Sequence, residues 1–316
     1  MNILVLKPSS LGDVVHTLPA VARVRRAFPQ ARLRWLVNPE WAPLLEGNPH
    51  LDETILFPRR ELGGITRLGR QVGWLREMRA RYRSELVLDF QGLLRSALIG
   101  RACRGGRFVG LSDAREGARF FYDRSADVSG IPHAVDRYLA LAREAGAGGD
   151  GPLEWPLPEG NAPGRFDTPG YLLLHPFSRG AGKSLTPQEV TLFCRSLRCP
   201  VVIAGRAQTA TGAFDAFDHV ENWLNQTSLV ELIWLIRHAR FVVSVDSGPM
   251  HIAAALGRPL LSIHTWSDPA RVGPYAPEAW ILRDQLLFRQ GGREARHRAA
   301  PDYAAVAAFV AEQMEA

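Results

Sequence analysis

Two stretches of this sequence place charged and hydroxyl side chains directly after an apolar run. The first, LVLKPSSLGDVVH, brings Lys7, Ser9, Ser10 and Asp13 together just before a helical pattern. A carboxylate in the first turn of a helix is held ionised by the helix dipole, and it can then act as a general base toward a sugar hydroxyl. Its plainer role is to cap the helix. His16, three residues further on, either tunes this carboxylate or belongs to the core.

The second stretch, LLLHPFSRGAGKSLTPQE, has the same order of strand, polar loop and helix. Thr186 and Glu189 have the spacing of a capping box, so a helix is predicted to begin near Pro187. A glycine-containing loop with Lys183 before a helix N-terminus suits a phosphate group, although it could also be only a mobile loop. Phe177 occupies the first glycine position of a Walker A motif, which argues against a P-loop NTPase.

A third segment, FVVSVDSGPMH, repeats this arrangement at another strand. Asp246, Ser247 and Gly248 follow a buried strand that ends at Val245, and His251 lies in the first turn of the next helix. The backbone N–H groups of that turn point toward whatever lies above the strand ends, which favours an anion. The alternative is that Asp246 and Ser247 only cap the helix and that His251 is structural.

The elements that must position these residues alternate between apolar runs and helical patterns. Continuous Val, Ile and Leu strands separated by helices are typical of parallel sheets covered on both faces. The predicted strands are 2–7, 32–37, 53–57, 85–90 and 107–110 in the first half, and 171–175, 200–204, 241–245 and 259–263 in the second. The predicted helices lie near 13–27, 66–83, 92–101, 133–145, 187–197, 228–238, 249–256 and 302–314.

Segment 146–170 is rich in Gly and Pro and shows no helical or strand period, so it is predicted to be a linker. It separates two doubly wound α/β domains, 1–150 and 171–316, which we expect to face a common cleft. Ligands of such sheets bind at the carboxyl ends of the strands. Gly146, Gly148 and Gly151 match the spacing GxGxxG, but they follow a helix rather than a strand, so no dinucleotide site is predicted there.

Bulk composition agrees with a globular protein of two domains. Of the 316 residues, 46% are hydrophobic and 22% are charged. No apolar run is long enough for a signal peptide core or a membrane-spanning helix. The three cysteines, Cys103, Cys194 and Cys199, lack zinc-type pairing and indicate a reduced, cytoplasmic protein; Cys194 and Cys199 could suggest a metal site, but small buried residues are favoured.

Charge is distributed unevenly along the chain. Residues 1–150 carry a net charge of +7 and residues 151–316 a net charge of −1, so the first half should favour an anionic partner. The predicted helix 66–83 combines one apolar face with six arginines, which fits either packing on its own sheet, the favoured reading, or a membrane surface. A nucleic-acid partner is not expected, because the arginines are dispersed and no aromatic strand platform accompanies them.

Taken together, the motifs resemble glycosyltransferase family 9, the bacterial heptosyltransferases with the GT-B fold. The resemblance spans nearly the whole chain, and the HTLP after Asp13 is more similar to enzymes adding the first core heptose than the second. The motifs that carry it are KPSSLGDVVHTLPA (7–20), DFQGLLRSAL (89–98), AREGARFFYD (114–123), HAVDRYLAL (133–141), the loop 178–183 and VSVDSGPMHIAAALG (243–257).

This resemblance implies a role for each candidate residue. Asp13 is expected to be the base of an inverting, metal-independent transfer without a cofactor, in which an acceptor hydroxyl attacks the anomeric carbon of a nucleotide-diphospho-sugar. The donor is expected to contact Ser9, Ser10, Gly12, Ser178, Lys183, Thr227, Asp246, Ser247, Gly248 and His251. The acceptor is expected to contact Arg59, Arg60 and Arg115.

The resemblance also implies partners and a location. The donor is expected to be ADP-heptose, bound by the C-terminal domain. The acceptor is expected to be the anionic inner-core sugar of lipid A, bound by the N-terminal domain of a cytoplasmic enzyme associated peripherally with the inner membrane. Thr209 and Thr227 depart from the family pattern around the nucleotide. This leaves open a family 9 transferase that uses another nucleotide-sugar on a different surface glycan, or a GT-B nucleotide-sugar epimerase.

Overall fold

The computed structural model describes residues 1–62, 68–180, 182–207, 212–291 and 298–315. The chain divides into two compact units, Met1–Pro158 and Glu159–Ala316. This boundary falls within the Gly- and Pro-rich segment 146–170. Within the described ranges, no helix combines the length and the apolar character needed to cross a bilayer.

The first unit is a six-stranded parallel sheet in the order β3-β2-β1-β4-β5-β6. The order reverses beside β1, and such switch points are where ligands of doubly wound sheets bind. Its strands are β1 (Asn2–Leu6), β2 (Arg32–Val37), β3 (Glu53–Leu56), β4 (Ser84–Asp89), β5 (Arg104–Leu111) and β6 (Arg124–Ala126). Its helices are α1 (Leu11–Ala27), α2 (Leu68–Tyr82), α3 (Leu94–Cys103) and α4 (Ala134–Glu144), with 3-10 turns at Pro39–Leu45 and Ala118–Phe121.

The second unit is an eight-stranded sheet in the order β14-β13-β12-β11-β10-β7-β8-β9. It is parallel from β9 through β12, and β13 and β14 add an antiparallel edge. Its strands are β7 (Leu172–His175), β8 (Val201–Gly205), β9 (Val220–Leu224), β10 (Phe241–Val245), β11 (Leu260–His264), β12 (Trp280–Arg283), β13 (Leu286–Arg289) and β14 (Arg298–Ala299). Its helices are α5 (Pro187–Arg195), α6 (Leu229–His238), α7 (Gly248–Ala255), α8 (Pro269–Val272) and α9 (Tyr303–Glu315), with a 3-10 turn at Gly212–Ala216.

The apolar face predicted for helix α2 is buried along only part of its length. Met78 and Tyr82, in its C-terminal half, are buried in the core of the first unit. Leu68 and Val72, in its N-terminal half, are exposed. Leu75 also packs against this core, so the favoured reading, packing on the sheet, holds for the stripe except at its N-terminal end.

Several short strands lack a sequence signal strong enough to predict them. Strand β6 has only three residues, and β9, with the sequence VENWL, mixes polar and apolar positions. The hairpin of β12 and β13 turns at Asp284 and Gln285, which both adopt positive φ angles of 52° and 62°. Asp-Gln is not one of the glycine-containing pairs that mark such turns in a sequence.

Candidate active site

Asp13 lies in the first turn of α1, immediately after β1, and both of its carboxylate oxygens are held. Oδ2 accepts hydrogen bonds from the Ser10 backbone N–H at 3.0 Å and from the Ser10 hydroxyl at 2.7 Å. Oδ1 accepts one from the Tyr138 hydroxyl at 3.2 Å. The Asp13 side chain is nevertheless 39% exposed. Three donors therefore orient a carboxylate that still has lone pairs open to a ligand.

Lys7 lies behind this carboxylate. Its side chain is only 4% exposed, and Nζ donates to the Phe90 carbonyl at 2.9 Å and to the Tyr138 hydroxyl at 2.8 Å. Nζ also lies 3.6 Å from Oδ1 of Asp13. Burial alone would raise the pKa of Asp13, but the Lys7 charge and the two Ser10 hydrogen bonds outweigh it and hold that pKa well below its usual range.

The turn after β4 fixes the loop that precedes Asp13. Oδ1 of the buried Asp89 accepts the N–H groups of Gln91 and Gly92, and its Oδ2 accepts the hydroxyls of Ser96 and Tyr122 at 2.8 Å each. Gln91 Oε1 in turn accepts the Ser9 backbone N–H at 3.2 Å. The DFQG segment thus acts as a clamp on the loop that carries Ser9 and Ser10 and leads into Gly12 of α1.

The three predicted acceptor arginines follow strands on either side of β1. Arg59 and Arg60 are exposed in the turn after β3, two strands from β1 in one direction. Arg115 is exposed in the loop after β5, two strands away in the other direction, and its backbone N–H donates to the Gly92 carbonyl at 2.8 Å. At the usual strand spacing each lies roughly 10 Å from the Asp13 position along the carboxyl edge. That edge therefore surrounds a carboxylate with positive charge.

In the second unit, Lys183 and Asp246 form an ion pair, with 2.8 Å between Nζ and Oδ2. They follow β7 and β10, which are neighbours in the sheet, so their loops meet at its carboxyl edge. Burial would raise the pKa of Asp246, but the hydrogen bonds from Lys183 and Ser267 lower it overall. The Asp246 carboxylate thus stays ionised and fixes the Lys183 ammonium beside the first turn of α7.

Ser247 is the N-cap residue of α7, and its hydroxyl is hydrogen-bonded to Nδ1 of His175 at 3.2 Å. Burial lowers the pKa of His175 to about 4, so this imidazole is neutral at pH 7. Gly248 and His251 lie in the first turn of α7, and His251 is buried. The N–H groups at this helix start and the Lys183 ammonium together form a positively polarised edge that suits a diphosphate.

Two other predicted donor residues lie elsewhere along this edge. The Ser178 backbone N–H donates to the Ser184 hydroxyl at 2.9 Å, which fixes the turn that carries Lys183. Thr227 is buried after β9, three strands from β10, or roughly 14 Å along the edge. That separation matches the spread of a nucleoside from its diphosphate. Thr209 lies outside the described residues.

The structure adds residues that the sequence did not single out. Tyr138 bridges Lys7 and Asp13, and its only sequence signal is its place in HAVDRYLAL. His264 is hydrogen-bonded to Ser262 and Ser267 beneath Asp246, and burial lowers its pKa to about 4. Trp266 is exposed, and its ring centroid lies 5.1 Å from Nζ of Lys183, so an aromatic face adjoins the predicted phosphate site.

Known proteins resemble this chain over most of its length. The model of the family described as glycosyltransferase family 9 (heptosyltransferase) matches residues 74–169 and 186–290. A relative from Pseudomonas aeruginosa, lipopolysaccharide heptosyltransferase 1, is 30% identical over 87% of this chain and 81% of its own. An Escherichia coli protein of the same name is 28% identical over 100% of this chain and 98% of its own.

Two solved structures share the fold over nearly the whole chain. The structure of Escherichia coli heptosyltransferase WaaC with ADP superposes with a TM-score of 0.78, covers 99% of both chains and is 24% identical. Escherichia coli ADP-heptose lps heptosyltransferase II gives the same TM-score of 0.78 at 22% identity, over 100% of this chain and 99% of its own. The two doubly wound units described above therefore form a GT-B fold, as the sequence predicted.

Proposed function

This chain belongs to glycosyltransferase family 9, and from that membership we propose that it transfers a heptose from ADP-heptose to the inner-core sugar of lipid A in lipopolysaccharide biosynthesis. The observation that carries this proposal is the Asp13 carboxylate. It is held ionised by Lys7, oriented by Ser10 and Tyr138, and partly exposed at the switch point of the first sheet. Relatives of matching length are named lipopolysaccharide heptosyltransferase 1.

In this proposal Asp13 is the catalytic base. The acceptor hydroxyl gives its proton to the carboxylate, and the acceptor oxygen forms a bond to the anomeric carbon of the donor. The bond from that carbon to the β-phosphate oxygen breaks, and its electron pair leaves with ADP. Because attack and departure occur on opposite faces of the sugar, the anomeric configuration inverts. A base fixed by three hydrogen bonds needs little reorganisation before it takes the proton.

The second unit is the proposed donor-binding domain. As the glycosidic bond breaks, negative charge grows on the diphosphate, and Lys183 with the first N–H groups of α7 is placed to stabilise it. Ser178, Ser247, Gly248 and His251 line the proposed diphosphate and sugar positions, and Thr227 the nucleoside end. Ser9, Ser10 and Gly12 of the first unit complete the proposed donor contacts.

The first unit is the proposed acceptor-binding domain. Arg59, Arg60 and Arg115 carry permanent positive charge on both sides of Asp13, which suits the carboxylates and phosphates of an inner-core acceptor. Since that acceptor is anchored in a membrane, we also propose that the enzyme acts on the cytoplasmic face of the inner membrane and binds it peripherally.

Transfer to a purified lipid A inner-core acceptor tests the function directly. We expect product with ADP-heptose as donor and inversion of the anomeric configuration. A calorimetric titration with ADP, UDP and GDP, without added magnesium, tests the donor, and we expect ADP to bind most tightly. A preference for UDP or GDP would keep the transferase but change its sugar, and binding of none of them would refute the proposed donor site.

A further inference from the structure

Five apolar side chains are exposed on three adjoining elements of the first unit. Phe120 is 92% exposed, and the other four are between 39% and 62% exposed. They lie on α2, on α3, which packs against it, and on the 3-10 turn that packs against α3. We call this set the apolar rim, and its members are Leu68, Val72, Leu94, Leu98 and Phe120. Single exposed leucines are ordinary, but five exposed apolar side chains on adjoining elements favour an interaction surface.

The rim borders the edge of the sheet that carries Asp13. Helices between parallel strands begin at the carboxyl ends of those strands, and the four aliphatic members of the rim lie in the first two turns of α2 and α3. Two hydrogen bonds join this region to the acceptor arginine loop: Leu94 N–H donates to Glu116 Oε2 at 3.2 Å, and Arg115 N–H donates to the Gly92 carbonyl at 2.8 Å. A surface bound at the rim would therefore lie beside the proposed acceptor site.

Phe120 projects from a fixed backbone rather than from a loose loop. Ala118, two residues before it, is fully buried, and Phe121 and Tyr122 pack against the core of the first unit. The Phe120 N–H donates to the Gly117 carbonyl at 3.2 Å, and the Tyr122 hydroxyl donates to Asp89 at 2.8 Å. The residues before and after Phe120 are thus fixed in place, while the Phe120 ring itself is almost fully exposed to water.

Arginines surround the apolar rim. Residues 68–124 contain 12 arginines against 6 acidic residues, which equals the net charge of +6 of the whole chain. Arg76 continues the stripe of Leu68 and Val72 along α2, Arg101 continues that of α3, and Arg119 precedes Phe120. All three are exposed, and none of them forms an ion pair with a residue in the described part of the chain.

We propose that the apolar rim inserts into the interface of an anionic bilayer, with Phe120 deepest and the arginines on the lipid headgroups. Apolar side chains at the tip and long cationic side chains behind them suit such an interface. A second copy of this chain is disfavoured as the occupant, because it would bring two surfaces of net charge +6 together. This inference rests on the proposed function, since docking here would bring a membrane-anchored acceptor to the edge that holds Asp13.

Vesicle flotation of the full-length protein tests the inference without any acceptor present. We expect binding to vesicles of phosphatidylethanolamine with phosphatidylglycerol and little binding to phosphatidylcholine vesicles. The double variant Leu98→Ser/Phe120→Ser should bind the anionic vesicles about tenfold more weakly. The double variant Arg101→Gln/Arg119→Gln should also bind more weakly and depend less on salt.

Two control variants distinguish docking from general damage. Phe120→Leu keeps an apolar tip and should retain binding. Leu192→Ser removes an exposed leucine of α5 in the second unit and should bind as the wild type does. Serine variants that bind as tightly as the wild type would overturn the proposal. So would equal binding of the wild type to both kinds of vesicle, or a dimer in solution that Phe120→Ser dissociates.

A separate assay keeps this inference apart from the proposed function. Transfer to a soluble acceptor stripped of its acyl chains should be unchanged in Leu98→Ser/Phe120→Ser, whereas transfer to the same sugar anchored in anionic vesicles should fall in step with binding. Loss of transfer to both acceptors would refute the docking role. If the wild type binds the anionic vesicles but transfers heptose to neither acceptor, the proposed activity is refuted and the proposed membrane-docking surface still stands.

Discussion

The two units each place one lysine and one aspartate at the carboxyl edge of a parallel sheet, and they expose opposite members of the pair. In the first unit the side chain of Lys7 is 4% exposed and that of Asp13 is 39% exposed. In the second unit the side chain of Lys183 is 25% exposed and that of Asp246 is 8% exposed. These are the only two lysines in the chain, against 36 arginines.

This difference in exposure shows which charge each sheet edge presents to a ligand. A buried ammonium behind an exposed carboxylate gives an oriented anion, which can accept a proton. A buried carboxylate behind a more exposed ammonium gives an oriented cation, which can hold a phosphate. A lysine suits both tasks because its ammonium is a compact point charge, while the planar guanidinium of arginine needs more room. The buried partner in each unit positions the exposed one.

The largest effect should come from removing the exposed charge of the first pair. Asp13→Asn keeps the shape of the side chain but cannot accept a proton at neutral pH. We expect kcat to fall by about 10³-fold, within the range known for general bases, and ADP binding to change little. Steady-state kinetics and calorimetry on the same preparation measure the two quantities.

The matched control for this variant is Asp127→Asn, which neutralises a fully exposed carboxylate elsewhere in the first unit. It should leave kcat and ADP binding as in the wild type. If Asp13→Asn lost ADP affinity as strongly as kcat, or failed to fold, Asp13 would be a structural cap and the first pair would not present a base.

Removing the exposed charge of the second pair should affect binding as well as rate. Lys183→Met leaves Asp246 buried without its partner, so we expect ADP affinity to fall by about 10- to 100-fold and kcat to fall with it. In the double variant Lys183→Met/Asp246→Asn the losses should be less than additive, because the two side chains act as a unit. Unchanged ADP affinity in Lys183→Met would contradict a phosphate site at this edge.

Lys7 and Tyr138, the buried side chains behind Asp13, should affect how the rate depends on pH. Lys7 and the Tyr138 hydroxyl stabilise ionised Asp13, so their removal raises its pKa toward the usual value. We expect the acid limb of the kcat/KM profile to move to higher pH in Tyr138→Phe, and further in Lys7→Met. KM for the donor should stay nearly constant. A uniform loss of rate at every pH would assign Tyr138 to packing alone.

The sequence singled out Lys183 and Asp246 but gave no role to Lys7 or Tyr138, and the reason is physical. Lys183 and Asp246 each follow a strong apolar strand and precede a helix start, which is a local pattern. The partner of Lys7 is Tyr138, 131 residues away, and only the packing of α4 on α1 brings them together. No local spacing encodes that contact, so Lys7 had no assigned role and Tyr138 was not singled out.

The same distinction applies to the fold. Apolar strands such as β1 and β10 were predicted within a residue or two, because burial on both faces forces a continuous apolar run. Strand β6 pairs along one side only, while β12 and β13 form a hairpin, and the sequences of these short strands carry no such constraint. The hydrogen bonds of Asp89 were also not predicted, because its partners Ser96 and Tyr122 come from separate elements.

The last expected effect concerns the support beneath the second pair and appears in stability rather than in rate. The pKa of His175 is lowered from 6.5 to about 4 by burial, so between these pH values the unfolded chain binds a proton that the folded chain does not. Stability is therefore lost as pH falls from 6.5 toward 4, by about 3 kcal/mol if the whole shift is realised. In His175→Gln the slope of unfolding free energy against pH should be shallower in this window, as measured by urea denaturation at several pH values. The control variant His238→Gln changes an exposed histidine of α6 and should keep the wild-type slope. If the wild type, His175→Gln and His238→Gln all had the same slope, His175 would not be the buried neutral group that supports Ser247.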